Sequence, residues 1–169
     1  MHGEMVMSGG GQAILNAGLM ASQTGEQRDV DSRFGRITIN PAQSLFFPTG
    51  LLGMPGKMEF CLARFPSEKY ERFSILQSTE DAGLAFITLP LALENPIIEQ
   101  EDIAQAAADL SLPLDDILPL LIVSVHRDSG GAQITVNARA PLLVRVSLRL
   151  GAQYVFPHTK YEIRQPLSL

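Results

Sequence analysis

Charged side chains are scarce in this 169-residue sequence, and basic ones are the scarcer kind. Lys, Arg, Asp and Glu make up 18% of the residues, against about 25% in a typical soluble protein. Lys and Arg number 13 and Asp and Glu number 18, which gives a formal net charge of −5. Domains that neutralise phosphates are normally basic, so this balance disfavours direct nucleic-acid binding.

The sequence also has only one cysteine, no tryptophan and no long apolar run. The single cysteine, Cys61, cannot form an intramolecular disulfide, and its neighbours Phe60 and Leu62 favour a small buried hydrophobe over a reactive thiolate. This is compatible with a reducing cytoplasm. No run approaches the roughly 20 apolar residues that a membrane helix needs, so no membrane partner is expected.

Signatures of catalysis, cofactors and metal ions are missing from the sequence. His2, His126 and His158 do not have the spacing of metal ligands, and no Lys-Ser or Lys-Thr pair follows the glycines at 50, 53 and 56. Pairing His126 with Cys61 or Ser124 for nucleophilic catalysis would require a third, orienting group. We therefore predict no catalytic residue, no metal site and no cofactor, and we expect the protein not to be an enzyme.

What the chain does contain is an aliphatic composition, with 46% hydrophobic residues, sufficient for one core. Residues 1–31, with the linker-like run Ser8-Gly9-Gly10-Gly11, are predicted to form a flexible amino-terminal tail. Residues 32–169 are predicted to form a single β-barrel-like domain. Deleting residues 1–30 is accordingly expected to leave the melting temperature nearly unchanged.

Alternation of apolar and polar residues predicts many short strands after the tail. The turn Asp128-Ser129-Gly130-Gly131 predicts a hairpin between two of them. The candidate strands lie around Ile37 and Ile39, at Met58 to Ala63, Phe73 to Gln77, Leu84 to Leu89, Leu120 to His126, Ala132 to Asn137, Val144 to Leu150, Gln153 to Phe156, and Lys160 to Ile163.

One segment has the composition of a helix, at about residues 98–110. Its alanines favour helix, Asn95-Pro96 precedes it and Pro113 follows it. Because an isolated sheet would leave exposed edges, we predict a mostly β fold: a small antiparallel β-barrel or strongly curved sheet with this one short helix.

The charges are distributed unevenly along the chain. Residues 73–126 contain nine acidic residues and no basic one, whereas residues 127–169 contain two acidic and six basic residues. One interpretation is a solvated surface that aids solubility. The other is a docking surface for a basic partner. The candidate docking residues are Glu80, Asp81, Glu99, Glu101, Asp102, Asp115 and Asp116.

Several sequence blocks, taken in order, resemble the FliW family of flagellar assembly factors. Together they cover roughly residues 32–168. The blocks are Ser32-Arg33-Phe34-Gly35-Arg36-Ile37, Phe46-Phe47-Pro48-Thr49-Gly50-Leu51-Leu52-Gly53, Ile75-Leu76-Gln77-Ser78 with Leu84-Ala85-Phe86-Ile87, Asn137-Ala138-Arg139-Ala140-Pro141, and Tyr161-Glu162-Ile163-Arg164-Gln165-Pro166-Leu167. The chain departs from the common pattern at Pro48-Thr49-Gly50, at Leu52-Gly53-Met54 and at Leu76.

The resemblance implies a cytoplasmic regulator that exchanges two partners. One partner is flagellin, held before export. The other is the carbon storage regulator CsrA, a translational repressor that the free factor binds and antagonises, which relieves repression of flagellin synthesis. The second block then supplies further candidate binding residues, namely Phe47, Pro48, Thr49, Gly50, Leu51 and Leu52.

Two alternatives remain open from the sequence. The protein could be a chaperone-like flagellin-binding protein without repressor binding. It could also be a small-ligand-binding β-barrel, which would require an interior cavity lined by convergent polar groups. The inward positions are instead predicted to be Val, Ile and Leu, the composition of a filled core.

Overall fold

A computed structural model describes residues 25–91 and 96–168, and these contain eleven strands and one α-helix. Within the same residues, no helix is long and apolar enough to cross a membrane. The strands are β1 (Arg28–Ser32), β2 (Gly35–Ile39), β3 (Leu45–Phe46), β4 (Glu59–Arg64), β5 (Ser74–Ser78), β6 (Ala85–Pro90), β7 (Ile117–Asp128), β8 (Gly131–Val136), β9 (Leu142–Arg145), β10 (Leu150–Gln153) and β11 (Gln165–Pro166), and the helix is α1 (Gln100–Asp109).

The main sheet curls until it closes, which confirms the predicted fold class. Its strands follow the order β11-β8-β7-β6-β5-β4-β3-β10-β9, and β9 also pairs with the first residues of β7. Seven strands, β7-β6-β5-β4-β3-β10-β9, therefore form a circuit of hydrogen-bonded neighbours. One pairing in this sheet is parallel, that of β3 with β10 through Phe46 and Leu150, and its other pairings are antiparallel.

Apolar residues on the two faces of the sheet belong to different clusters. Leu118 and Leu120 of β7 point into the barrel, together with Phe47 and Phe60, whereas Leu121 packs outside against α1. A third cluster lies under the β1–β2 hairpin, where Ile37 and Ile39 cover Cys61, Ala63 and Ile75. The central strands are thus buried on both faces, and Cys61 is a buried free thiol, as predicted.

Two predicted features, the hairpin turn and the helix, correspond closely to the observed structure. The turn at Asp128 to Gly131 joins β7 to β8, and the Asp128 carboxylate accepts a hydrogen bond from the Gly130 N–H at 2.8 Å. The segment from Asn137 to Pro141 separates β8 from β9. Helix α1 lies within the predicted range 98–110, with Ile103, Ala106 and Ala107 on its buried face.

The prediction of one strand from Val144 to Leu150 was wrong. A 3₁₀ turn at Val146–Leu148 divides it into β9 and β10, and Arg149 follows in the left-handed region with φ of 51°. The turn breaks the alternation, so Val144 is buried whereas Leu148 is 54% exposed. Period-2 spacing alone could not reveal this turn.

The predictions of strands at Gln153 to Phe156 and at Lys160 to Ile163 were also wrong, since only Gln153 belongs to a strand. Residues 154–164 form an irregular segment held to the barrel by single backbone hydrogen bonds, such as Phe156 N–H to the Arg139 carbonyl and Ala138 N–H to the Glu162 carbonyl. Phe156 and Tyr161 are buried by packing over the α1 cluster. Burial of these two rings explains the apolar pattern that suggested strands.

Strand β1 begins at Arg28, inside the segment predicted to be a tail of residues 1–31. It pairs with β2 along its whole length, from Arg28 opposite Ile39 to Ser32 opposite Gly35. The ordered domain thus starts before residue 32, because β2 is bonded to β1 and half-buried Val30 packs against the cluster under the hairpin. Residues 1–24 of the predicted tail lie outside the described residues.

Deleting residues 1–30 would remove three of the five residues of β1, so the melting temperature is no longer expected to stay nearly unchanged. Two truncations test this boundary. Removing residues 1–32 deletes β1, which should lower the melting temperature by roughly 5 °C more than removing residues 1–24, since about 2 kcal/mol of strand pairing and packing is lost. Differential scanning calorimetry on the two proteins measures the difference. Equal melting temperatures would show that β1 contributes nothing to folding.

Candidate functional site

The β3–β4 loop, residues 47–58, places two of the candidate binding residues in the interior. Phe47 is fully buried and its ring meets Phe60 edge to face, with centroids 5.9 Å apart. Gly151 of β10 lies directly against the Phe47 ring, where a Cβ would be 2.4 Å from the nearest ring carbon. Leu51 is also buried in the barrel cluster. A partner cannot contact Phe47 or Leu51 without displacing core side chains.

Several other residues of the same loop are exposed, and Leu52 is the most exposed of its large apolar side chains. Pro48 and Thr49 are exposed, and Leu52 is 62% exposed. The Leu52 N–H donates to Gln153 Oε1 at 2.9 Å, which fixes the loop against β10. Gly50 is buried and adopts a φ of +69°, and a Cβ there would lie 2.8 Å from the Met54 carbonyl oxygen, so the position requires glycine. The loop is therefore a tight turn that presents Leu52.

The next two candidates, Glu80 and Asp81, occupy the β5–β6 turn (residues 79–84), which a buried amide organises. Gln77 has its Nε2 atom 3.2 Å from each of four backbone carbonyl oxygens. The four belong to Ser78, Asp81, Ala82 and Leu84. The Ser78 hydroxyl also accepts from the Glu80 and Asp81 N–H groups. Both carboxylates are exposed, on a turn whose backbone is held by the buried Gln77 amide.

This acidic turn adjoins the β3–β4 loop. Thr79, at the start of the turn, donates its N–H to the carbonyl of Glu59 at 3.2 Å, and Glu59 follows the loop directly. Both connections lie at one end of the barrel, since β3 ends, β5 ends and β6 begins there. Leu52, Glu80 and Asp81 are thus presented by neighbouring connections.

Glu99 and Asp102, at the start of α1, form ion pairs with Lys160 of the carboxy-terminal segment. Lys160 Nζ lies 2.7 Å from Glu99 Oε2 and 2.9 Å from Asp102 Oδ2. The Tyr161 hydroxyl also hydrogen-bonds Asp102 and accepts from the Glu99 N–H at 3.0 Å. Hydrogen bonds from Tyr161 and then Lys160 hold the pKa of Asp102 below its usual value. Glu101 faces solvent beside this network.

Asp116 is likewise engaged within the molecule. It accepts from the Ser147 N–H at 3.0 Å and from the Ser147 hydroxyl, and Arg145 Nε lies 3.3 Å from its Oδ2. Burial acts to raise the pKa of Asp116, but these hydrogen bonds outweigh it and the pKa is lowered. Asp115 is exposed next to it.

The seven acidic candidates thus lie in three places: the β5–β6 turn, the start of α1 and the entry to β7. Glu99, Asp102 and Asp116 pair with Lys160 and Arg145, both from the basic last third of the chain. Within the described residues no ion pair involves the remaining four. Those four exposed carboxylates are Glu80, Asp81, Glu101 and Asp115.

Sequence reasoning missed an exposed apolar patch on the outside of β3 and β10. Phe46 and Leu150 are neighbours in the parallel register and are 39% and 37% exposed. Leu148, in the 3₁₀ turn just before β10, is also exposed. We call Phe46, Leu148 and Leu150 the β3–β10 patch. The only sequence signal was the pair Phe46-Phe47, since adjacent strand residues face opposite sides.

His126 and Cys61, considered as a catalytic pair, do not come together in the structure, whereas Ser124 lies two residues from His126 on the same face of β7. His126 is exposed near the end of β7, whereas Cys61 is buried in β4, where its Sγ donates to the Asn40 carbonyl at 3.4 Å. Burial, followed by the charge of Glu59, raises the pKa of Cys61 to about 11. Among residues 25–91 and 96–168, no three His, Cys, Asp or Glu side chains form a group that could hold a metal ion.

Comparison with known proteins gives consistent results. Residues 29–167 match the family described as FliW protein. The chain is 31% identical over 136 residues to the flagellar assembly factor FliW of Clostridium beijerinckii, a match covering 79% of this chain and 92% of the relative. It is 28% identical over 141 residues to the flagellar assembly factor FliW of Leptospira interrogans, covering 79% of this chain and 88% of the relative.

A solved structure supports the same fold. The crystal structure of a flagellar assembly factor FliW superposes with a TM-score of 0.61 at 22% sequence identity. The superposition covers 84% of this chain and 98% of the other. The curled barrel is therefore a fold that the two chains share.

Proposed function

The chain belongs to the FliW family of flagellar assembly factors, and on that premise we propose that it is a non-enzymatic regulator that exchanges two protein partners in the cytoplasm. One partner is flagellin, bound before export. The other is the translational repressor CsrA, which the protein binds and antagonises once flagellin has been released. Secretion of existing flagellin thus leads to translation of new flagellin.

The observation that carries repressor binding is the set of four exposed carboxylates without an ion-pair partner among the described residues. A protein that antagonises a basic RNA-binding repressor gains encounter rate and orientation from opposite charge. Glu80 and Asp81 suit this role best, because Gln77 holds their turn in one conformation and little side-chain or loop ordering remains to oppose binding. Glu99, Asp102 and Asp116 suit it less, since Lys160 and Arg145 already neutralise them.

Flagellin is assigned to apolar surface at the same end of the barrel. Leu52 is more exposed than Met58, the other exposed large apolar side chain of the β3–β4 loop, and burial of such a side chain contributes about 1.5–3 kcal/mol. Phe47 and Leu51, the other apolar candidates of this loop, support its shape from inside. We therefore place the flagellin contact at Leu52, with Pro48 and Thr49 beside it.

Charge reversal tests the repressor contact. Changing Glu80, Asp81, Glu101 and Asp115 to Lys should slow association with the repressor roughly tenfold at low salt, because electrostatic steering acts on encounter. The parent protein's rate should also fall as added salt screens these charges beyond about 8 Å. Folding should be retained, since exposed charges contribute little to stability. Surface plasmon resonance at several salt concentrations measures the rates.

A matched variant carries the same change of net charge elsewhere. Glu26, Asp31, Glu68 and Glu71 are all exposed, and changing these four to Lys should leave the rate much closer to that of the parent. Flagellin binding should change little in the first variant and fall in Leu52→Asp. Equal rates for both four-lysine variants would mean that the acidic residues are only solvated surface. Flagellin binding without repressor binding by the parent would support the chaperone-like alternative.

A further inference from the structure

Strand β7 extends past its neighbour β6 at the end of the barrel that carries the acidic turn. Pairing of the two strands stops with Ile87 opposite Val123, whereas β7 continues to Asp128 and pairs there with β8 alone in the described part of the chain. Residues 124–128 of β7 and 131–133 of β8 are all exposed. The β7–β8 hairpin therefore projects from the barrel as a two-stranded ribbon. We call the side of residues 124–128 that faces away from β8 the β7 edge.

Two residues of β7 direct backbone groups toward this edge. Successive residues of an antiparallel strand direct their N–H and C=O groups to alternate sides. The Ile122 carbonyl accepts from the Asn137 N–H, so Ile122 faces β8, and every second residue after it does the same. Val125 and Arg127 therefore face the β7 edge, and within the described residues no strand pairing or other backbone hydrogen bond reaches them on that side.

An exposed, unpaired strand edge is a template for an extended segment of another protein. The backbone of such a segment can bond to Val125 and Arg127 on the side where β6 has ended. Val125 is 44% exposed and offers the segment an apolar side chain to cover. Main-chain pairing contributes affinity without selecting a sequence, so the charges beside the edge select the partner.

The acidic turn lies beside the β7 edge. Continuing the register of β6 and β7 by two residues places Ala85 level with Val125, so the turn, residues 79–84, lies level with the remainder of the edge. Glu80 and Asp81 are exposed on this turn, and no ion pair involves them in the part of the chain that the structure describes. A segment bound at the edge has two carboxylates at its side, which favours a basic segment.

We propose that an extended, basic segment of the repressor joins the main sheet as a strand along the β7 edge, with a basic side chain directed toward Glu80 and Asp81. This inference rests on the repressor binding proposed above and gives that binding its geometry. Arg127 and Asp128 at the edge have opposite charges, so the two carboxylates of the turn determine the sign of charge that the site attracts. The turn guides encounter, and the edge holds the docked segment by backbone hydrogen bonds.

Proline at the β7 edge tests the strand addition. Val125→Pro removes an N–H group that has no partner within the described residues, and proline is tolerated at strand edges that face solvent, so the fold should be retained. Binding of the repressor should weaken at least about tenfold, mainly through faster dissociation, because proline blocks the backbone pairing. Surface plasmon resonance measures the binding, and circular dichroism checks the fold.

Ala132→Pro is the matched control, on β8 of the same hairpin. Ile134 faces away from β7, since its carbonyl accepts from the Leu167 N–H, and Ala132, two residues earlier, faces the same way. Ala132 is exposed, so proline there should also leave the fold intact. Repressor binding by this variant should remain within about twofold of the parent.

Hydrogen exchange, followed by NMR on the parent chain, gives a second readout that needs no variant. With the repressor bound, the amides of Val125 and Arg127 should exchange at least about tenfold more slowly, because a neighbouring strand then bonds them. The amides of Ser124 and His126 already face β8 and should change much less. A partner that only covers the hairpin would instead slow the exchange of all four.

Three results would overturn the strand addition. One is repressor binding by the parent without the alternating protection, or undiminished by Val125→Pro, which would leave the proposed function standing. A second is protection of Val125 and Arg127 in the protein alone, because the edge would then be occupied by this chain or, if protection rises with protein concentration, by a second copy. The third is no repressor binding by the parent, which would overturn the proposed function as well.

Discussion

Replacing Phe47 with Ala should lower the free energy of unfolding by about 3–5 kcal/mol, one of the largest losses that a single substitution can cause in this protein. The ring is fully buried, packs edge to face on Phe60 and fills the space that Gly151 leaves open. Alanine would remove these contacts and leave a cavity that the barrel can close only in part, since neighbouring strands are fixed by their hydrogen bonds. Urea unfolding followed by circular dichroism measures the loss.

The adjacent residue provides the control. Phe46 has the same side chain but is 39% exposed in the β3–β10 patch, so Phe46→Ala should cost about 1 kcal/mol or less. A similar loss in both variants would contradict the assignment of Phe47 to the interior and Phe46 to the surface.

The sequence could not decide between these two phenylalanines, and the reason is physical. β3 contains only Leu45 and Phe46, too short for alternation to show which face is buried. Its inward face follows from closure of the barrel, through pairing with β4 and β10, whose partner residues lie 15 and about 100 positions away. β7, β8 and α1 were predictable because each is long enough to show a local pattern. The two strands show an apolar run or alternation of apolar and polar residues, and the helix spans several turns.

Burial on both faces limited the remaining predictions of strands. In β4, Phe60 and Leu62 face the barrel interior, whereas Cys61 and Ala63 lie beneath the β1–β2 hairpin. A strand of this kind shows an apolar run without alternation, and its boundaries are then set by turns. Conversely, Phe156 and Tyr161 gave an apolar pattern although their segment is irregular, because they cover the outer cluster.

The acidic candidates show the same division between local and tertiary information. Their exposure on turns and helix ends was predictable from polarity. The pairing of Lys160 with Glu99 and Asp102 was not, since it joins residues about 60 positions apart and depends on the path of residues 154–164. Nor did any pattern mark Gln77 as the residue that organises the turn bearing Glu80 and Asp81.

Gln77→Glu is the second substitution from which we expect a loss of about 3–5 kcal/mol at neutral pH. Gln77 is fully buried, and its amide nitrogen faces the carbonyl oxygens of Ser78, Asp81, Ala82 and Leu84. A carboxylate there would replace a donor by an acceptor and bury a negative charge among four negative dipole ends. The β5–β6 turn should open, which would also slow association with the repressor.

The pH dependence of this loss identifies its cause. Burial among carbonyls would raise the folded-state pKa of the introduced carboxyl above its unfolded value of about 4.3. The charged form is therefore penalised in the folded state, so the loss is largest above that raised pKa and shrinks as the pH falls through it toward the unfolded value. Urea unfolding of variant and parent at matched pH values gives the difference.

Gln133→Glu makes the same chemical change at an exposed position of β8 and should cost less than about 0.5 kcal/mol at every pH. A pH-independent loss in Gln77→Glu would instead indicate a packing defect, and no loss at all would show that the Gln77 amide does not hold the turn.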